Sequence, residues 1–280
     1  MSRTTPGERP ATPEEDALAR HREELQKRFP LPELGSKPRK RSKALGAVLL
    51  VTAIAGGLAW LDPAYQREQR STAVGERQPV ELADGSRLLL DSDSRIEITW
   101  HLLSRRVALQ RGQALFDIAP ASYRPFLVDA GTTRVKVLGT LFNVRRLEGD
   151  VRVTLARGKV EVEAHGDPRQ RLQLAPGQQV DSRQGVLQEV VAADTEATFA
   201  WKESRLVFER TPLSEALALL QHYRSAPIRL EDPDLGALPI TGVFDSDRVD
   251  DLLSLLPNIL PVGLHHEVDG SVRVVGRPEK

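Results

Sequence analysis

The chain has 280 residues, 39 basic against 39 acidic side chains, and no cysteine. Balanced charge excludes a global field that would gather nucleic acid or an acidic surface, and the missing thiols exclude disulfides and cysteine-ligated zinc or iron–sulfur centres. With only seven Phe, three Tyr and three Trp, an extended aromatic binding platform is not expected.

The first segment, MSRTTPGERPATP, is polar and proline-rich and predicts a disordered lead. A short helix is expected next over TPEEDALARHREELQKRF. Thr12 and Glu15 form a capping box around Pro13, while Ala17, Leu18, Leu25 and Phe29 make a thin apolar stripe. So short a helix buries no core alone, which leaves a docking element or a tether.

The segment KPRKRSKALGAVLLVTAIAGGLAWLDP contains an uncharged run from Ala44 to Leu61. Its 18 residues reach ~27 Å at ~1.5 Å each, close to the thickness of a hydrocarbon core. A buried globular helix and a cleaved signal peptide are the other readings. The 43 residues ahead of the run and the lack of an Ala-x-Ala site after it disfavour the signal peptide. Lys37, Arg39, Lys40, Arg41 and Lys43 crowd the N-terminal side, whereas Asp62 and Pro63 open the other. The positive-inside rule then predicts a cytoplasmic segment 1–43, a transmembrane helix 44–61, and residues 62–280 outside the inner membrane.

Between residues 79 and 180 the pattern apolar-x-apolar-x-x-Gly occurs four times, at Val80/Leu82/Gly85, Val107/Leu109/Gly112, Val153/Leu155/Gly158 and Leu172/Leu174/Gly177. Each copy reads as a strand, a glycine turn and a return strand, so a stack of hairpins is expected from Val74 to about Val191. Within this region RVKVLGTLFNV changes parity: Val135 and Val137 share one face, Phe142 and Val144 the other. One strand with a bulge at Gly139-Thr140 accounts for that shift.

After Trp201 the periodicity changes. RLVFE reads as a strand and TPLSEALALLQHYR as a helix capped by Thr211, with Pro212 first and Leu213, Leu217, Leu220 and Tyr223 inward. PIRLED and LPITGVF are strands. SDRVDDLLSLLP is a helix with Val249, Leu252, Leu253 and Leu256 inward and Pro257 closing it, and a final hairpin turns at Asp269-Gly270. The order β-α-β-β-α-β-β predicts a small α+β module over residues 201–280.

Little chemistry is visible. No G-x-S-x-G, H-E-x-x-H or phosphate-cradling glycine loop occurs. His265 and His266 are neighbours on a strand and point to opposite faces, which does not suit a metal site. Asp91 and Asp93 in LDSDSR lack the glycine and distal glutamate of a calcium loop and read as a solvated turn. No cofactor or metal is expected.

The segments VELADGSRLLLDSDSRI, RRVALQRGQALFDI, RPFLVDAG and VKVLGTLFNV, in that order beyond one membrane helix, resemble the FecR-like sigma-factor regulators over residues 75–185. Residues 201–276 more weakly resemble the secretin/TonB short N-terminal module. The resemblance implies a single-pass protein with a periplasmic, solenoid-like all-β domain over 62–200 and an α+β module over 201–280. It implies an extracytoplasmic-function sigma factor as cytoplasmic partner and, as periplasmic partner, the signalling domain of a TonB-dependent outer-membrane receptor, as in the control of iron uptake. An intramembrane protease is a further implied partner. Some members cleave themselves at a Gly-Thr bond, which the match places at Gly139-Thr140. Residues 1–43 depart from the family in having no tryptophan. Transmembrane signalling without steady-state catalysis is thus the leading expectation. An inner-membrane-anchored assembly component contacting a secretin-like partner is the alternative, and a periplasmic metabolite-binding enzyme the third.

Overall fold

The computed structural model describes residues 41–165, 167 and 169–277, and before them 17, 21, 22, 24, 25 and 27–29. The Thr12–Glu15 capping box and Leu18 lie outside the described residues. The chain divides into two compact units, Met1–Gly56 and Gly57–Lys280.

In the first unit the described residues from Ala17 to Arg28 are helical, with Leu25 and Phe29 exposed. Helix α1 (Arg41–Leu61) runs for 21 residues, beginning three residues ahead of the apolar run. Val48, Leu49, Leu50, Val51 and Ile54 are each more than half exposed and point to all sides of the helix. Side chains are described without a gap only from 46 to 57, and among the described residues no helix is long and apolar enough to cross a membrane.

The second unit opens with a β lobe of two hydrogen-bonded layers. Its strands are β1 (Ala64–Ser71), β2 (Gln78–Glu81), β3 (Arg87–Leu90), β4 (Arg95–His101), β5 (Arg105–Asp117), β6 (Phe126–Ala130) and β7 (Thr133–Val137). There follow β8 (Leu141–Leu147), β9 (Asp150–Arg157), β10 (Val160–Ala164), β11 (Arg171–Leu174), β12 (Gln178–Arg183), β13 (Val186–Leu187) and β14 (Val191–Ala192). Strand β5 belongs to both layers. Its first half pairs with β4 and β6, and its second half, from Gly112, pairs with β3 and β8. The bend sits at Gly112, where φ is +89° and a Cβ would come within 2.3 Å of the Ser94 hydroxyl, so only glycine fits.

Beyond β5 the chain winds. Hairpin β6–β7 joins the first layer, β8–β9 the second, β10–β11 the first again and β12–β13 the second. Alternating side chains from both layers meet in one core: Ile96, Ile98, Val128 and Val135 from the first, Leu88, Phe116, Phe142 and Val153 from the second. Phe116 stacks on Phe142 at 5.0 Å and meets Phe126 edge-on at 6.2 Å, so the rings tie the layers together.

This winding corrects two expectations. Of the four repeat glycines only Gly85 turns a hairpin, β2–β3. Gly158 and Gly177 lie where the chain changes layer, and Gly112 where β5 bends between layers. Nor is RVKVLGTLFNV one bulged strand. β7 ends at Val137 in the first layer and β8 starts at Leu141 in the second. The parity shifts because both layers must face the same core from opposite sides.

The C-terminal module contains α2 (Thr195–Phe199), β15 (Arg205–Pro212), α3 (Leu213–Gln221), β16 (Ile228–Leu230), β17 (Pro239–Asp245), α4 (Val249–Ile259), β18 (Val262–His266) and β19 (Val272–Gly276). From β15 onward the order is β-α-β-β-α-β-β. β15 pairs with β17, and β19 lies between β16, parallel to it, and β18. All seven expected inward residues of α3 and α4, and Tyr223 beyond α3, are buried, but Thr211 does not cap α3: β15 continues to Pro212, and the Thr211 hydroxyl accepts from Glu209 N instead. Helix α4 also passes Pro257 and stops at Ile259.

Candidate functional site

The Gly139-Thr140 peptide forms the corner between β7 and β8. A Cβ on Gly139 would meet Pro120 Cα at 2.8 Å, and one on Gly158 would meet the Gly139 carbonyl oxygen at 2.9 Å and Thr140 Oγ1 at 3.0 Å. The peptide is therefore wedged between a proline and a second corner whose φ is +96°. Thr140 is buried, its hydroxyl donates to the Lys159 carbonyl at 3.1 Å, and its carbonyl accepts from Ile118 N at 3.0 Å. Glycine puts no side chain over this carbonyl, and the bond to Lys159 fixes the Thr140 hydroxyl.

A second polar constellation lies where the C-terminal module covers the outer face of the second layer. Side chains on this face stand in two rows across the strands. Leu89, Leu115, Asn143 and Thr154 form one row, and Gln113, Arg145, Arg152 and Asp181 the other. Leu89 and Leu115 pack against the module's core. Asn143 accepts from Gln113 and from the Trp201 indole, both at 3.3 Å. Arg145 and Arg152 donate to one Glu215 carboxylate oxygen at 2.8 and 2.7 Å, and Arg152 also grips Asp181 bidentately. Burial opposes the Glu215 charge, but the two guanidinium groups hold its carboxyl below the usual range. An open cleft of about 470 Å³ adjoins this pair, between Arg183 and Ser214.

At the other end of the face, Asp91 is fully buried. It accepts from the Tyr223 hydroxyl and pairs with Arg77 at 3.3 Å, while Arg77 also donates to Ser204 and Ser246 of the module. Burial pushes the Asp91 carboxyl up to about 6 against the pull of Tyr223 and Arg77. His222, also buried, is pushed down to about 4 by burial and by the Arg145 and Arg111 charges. Asp91 is thus no solvated turn residue: it follows β3 beneath the module, and Asp93 alone keeps to the rim, paired with Arg111 at 2.5 Å. His265 and His266 do not converge on a third ligand, and among the described residues no three His, Cys, Asp or Glu side chains could hold a metal ion.

Sequence reasoning singled out Gly139-Thr140, as a bulge rather than a corner, and missed the junction. Arg145, Arg152 and Asp181 alternate with core residues and read as a solvated outer face, and Glu215 as an ordinary acidic residue in the first turn of a helix. The available signal was that Leu89 and Leu115 share that supposedly wet face.

Residues 68–161 match the family model described as FecR protein, a span from β1 into β10 that includes the corner. Two crystal structures of a candidate anti-sigma factor from Parabacteroides distasonis ATCC 8503, at 2.50 Å and 1.65 Å resolution, share the fold. Each is 24% identical, with a TM-score of 0.66, over 75% of this chain and 99% of the other. No curated protein matches the sequence. Over residues 68–161 the chain is thus similar to the FecR family.

Proposed function

We propose that this chain is a single-pass inner-membrane regulator of an extracytoplasmic-function sigma factor. Its outer part relays a periplasmic signal received from the signalling domain of a TonB-dependent receptor. The observation that carries the reading is the junction itself: the C-terminal module is bonded to the FecR domain through one shared sheet face, so a partner held by the module pulls on the strands that lead back to α1. The FecR match and the shared fold support sigma-factor control. The uncharged run Ala44–Leu61, the cationic cluster before it and the exposed apolar side chains of α1 support the membrane span. The free edges of β17 and β18 suit a partner that binds by strand addition.

Self-cleavage at Gly139-Thr140 belongs to the same proposal. Thr140 Oγ1 attacks the Gly139 carbonyl carbon, the C–N bond breaks as the Thr140 nitrogen takes up the proton, and an ester replaces the amide. Water then opens the ester, leaving a Gly139 carboxylate and a free Thr140 amine and hydroxyl.

Tagged full-length protein isolated from membranes should carry the sigma factor with it. Glu215→Arg, which sets a third cation against Arg145 and Arg152, should leave membrane levels intact and abolish induction of a sigma-dependent reporter. Capture of no sigma factor would overturn the function. Normal induction by Glu215→Arg would overturn the relay through the junction.

A further inference from the structure

Among the described residues of the β lobe, eight large apolar side chains are exposed, and four of them, Tyr65, Leu102, Leu103 and Tyr123, lie on segments joined at one rim: Ala64 pairs with His101, and Arg124 bonds to His101 and Ser104. Isolated exposed leucines need no explanation, but a cluster does. Asp62, the residue after Leu61, is bonded into this rim. The Asp62 carboxylate accepts from Leu103 N at 2.7 Å, Ser104 Oγ at 2.5 Å and Arg106 at 3.2 Å, and its carbonyl meets His101 Nδ1 at 2.5 Å. The tip of hairpin β4–β5 therefore lies beside the point where the apolar helix ends, and exposed Trp60 and Leu61 extend the cluster along the chain.

Charge completes the surface. Arg124, next to Tyr123, donates to the carbonyls of His101 and Ser104 and reaches the Tyr65 hydroxyl at 3.5 Å. Its partners among the described residues are neutral, these oxygens and the Trp100 ring 6.0 Å away, so no anion balances its charge, whereas Arg106 is neutralised by Asp62. Tyrosines and leucines beside an unpaired arginine are the composition of a membrane–water interface, where rings and methylenes enter the acyl boundary and cations meet phosphates.

We propose that this rim is a membrane seat: Leu102, Leu103 and Tyr123 dip into the interfacial layer of an anionic bilayer, with Arg124 at its phosphates. The inference rests on the single-pass reading and adds that the FecR domain stands in one orientation on the lipid.

The chain has no cysteine, so single substitutions give unique labels. Full-length protein carrying Leu103→Cys, Tyr123→Cys, Ile54→Cys or Val243→Cys would be labelled with an environment-sensitive fluorophore. Each variant would be reconstituted in phosphatidylcholine vesicles with or without phosphatidylglycerol. Labels at 103 and 123 should shift to the blue, lose quenching by aqueous iodide and gain quenching by lipid-borne nitroxides, while 243 on the module behaves as a water-exposed control. Iodide quenching at 103 and 123 equal to that at 243 overturns the seat. If 54 is shielded in that case, the span survives and the seat alone falls; if 54 is quenched as well, both fall. Arg124→Gln should weaken the nitroxide quenching at 103 only in vesicles containing phosphatidylglycerol, and no difference between the lipids would overturn the anionic part.

Discussion

Asp91 and His222 show how two buried groups at one junction oppose each other. A carboxyl held at about 6 keeps a proton that the unfolded chain, with its ordinary value of 3.8, has already released. Its contribution to stability is therefore lost as pH rises through that window. An imidazole held at about 4 against 6.5 does the reverse: the unfolded chain takes the proton first as pH falls, so stability is lost towards acid. Each shift is about 2 units, or about 3 kcal/mol. The wild type should thus respond weakly between pH ~4 and ~6.5 from this pair. Asp91→Asn should fall in stability towards acid, and His222→Gln should gain it, as urea denaturation across that range would reveal. Parallel pH profiles for both variants would contradict the assignment. At the corner, Thr140→Ser should retain cleavage, and Thr140→Ala and Thr140→Val should stop it, with a fragment beginning at Thr140 as the readout. A chain with Thr140→Ala that is still cut there would remove the hydroxyl from the chemistry.

Individual elements differ in how far they can be read from sequence. Helices α3 and α4 were legible because a period of 3.6 in Leu213, Leu217 and Leu220, or in Val249, Leu252, Leu253 and Leu256, needs only local information. Replacing Leu217 or Leu252 by Ala should each cost ~2–5 kcal/mol in unfolding experiments, since both are buried in the module's core. Most strand segments inside the β lobe were also legible, though β7 and β8 read as one bulged strand, but partners were not. Gly158 follows β9 and precedes β10 as a hairpin turn would, yet β9 pairs with β8 and β12 while β10 pairs with β7 and β11. Period-two alternation tells which side chains face a core and says nothing about which layer supplies them. Gly158→Ala should destabilise the lobe by ~1–3 kcal/mol, since alanine must adopt a positive φ there and press on the corner. A thermal midpoint equal to the wild type's would mean that the corner yields.

For the molecule as a whole, the proposed topology rests on the charges before Ala44. A reporter active only in the periplasm should work after Lys280 and fail within residues 1–36, and the opposite pattern would invert the scheme. Deleting residues 201–280 should abolish the response to the outer signal while the protein stays in the membrane. The deletion also exposes Leu89, Leu115 and the Arg145–Arg152 pair, so the truncated lobe should bind hydrophobic dyes that the full chain ignores. That docking face escaped sequence analysis for a physical reason: whether an outer face is wet depends on what the chain does 70 residues later, as with Arg145 and Glu215.

The winding of the β lobe also decides what a break at the corner would accomplish. Residues up to 139 include β5 and β7, and residues from 140 include β8 and β10. Six residue pairs join β5 to β8 and four join β7 to β10 across the break. The Phe116–Phe142 stack crosses it as well. A nicked molecule would therefore stay whole in solution, its two pieces co-eluting as one body. Severing the bond would convert a continuous tether into a latch that yields to tension: traction on the C-terminal piece, with the other piece anchored through α1, would strip β8 from β5 along the ladder. The intact chain would first have to unravel. In such a device the cut sets the force at which the signal is released, and the pull itself decides when.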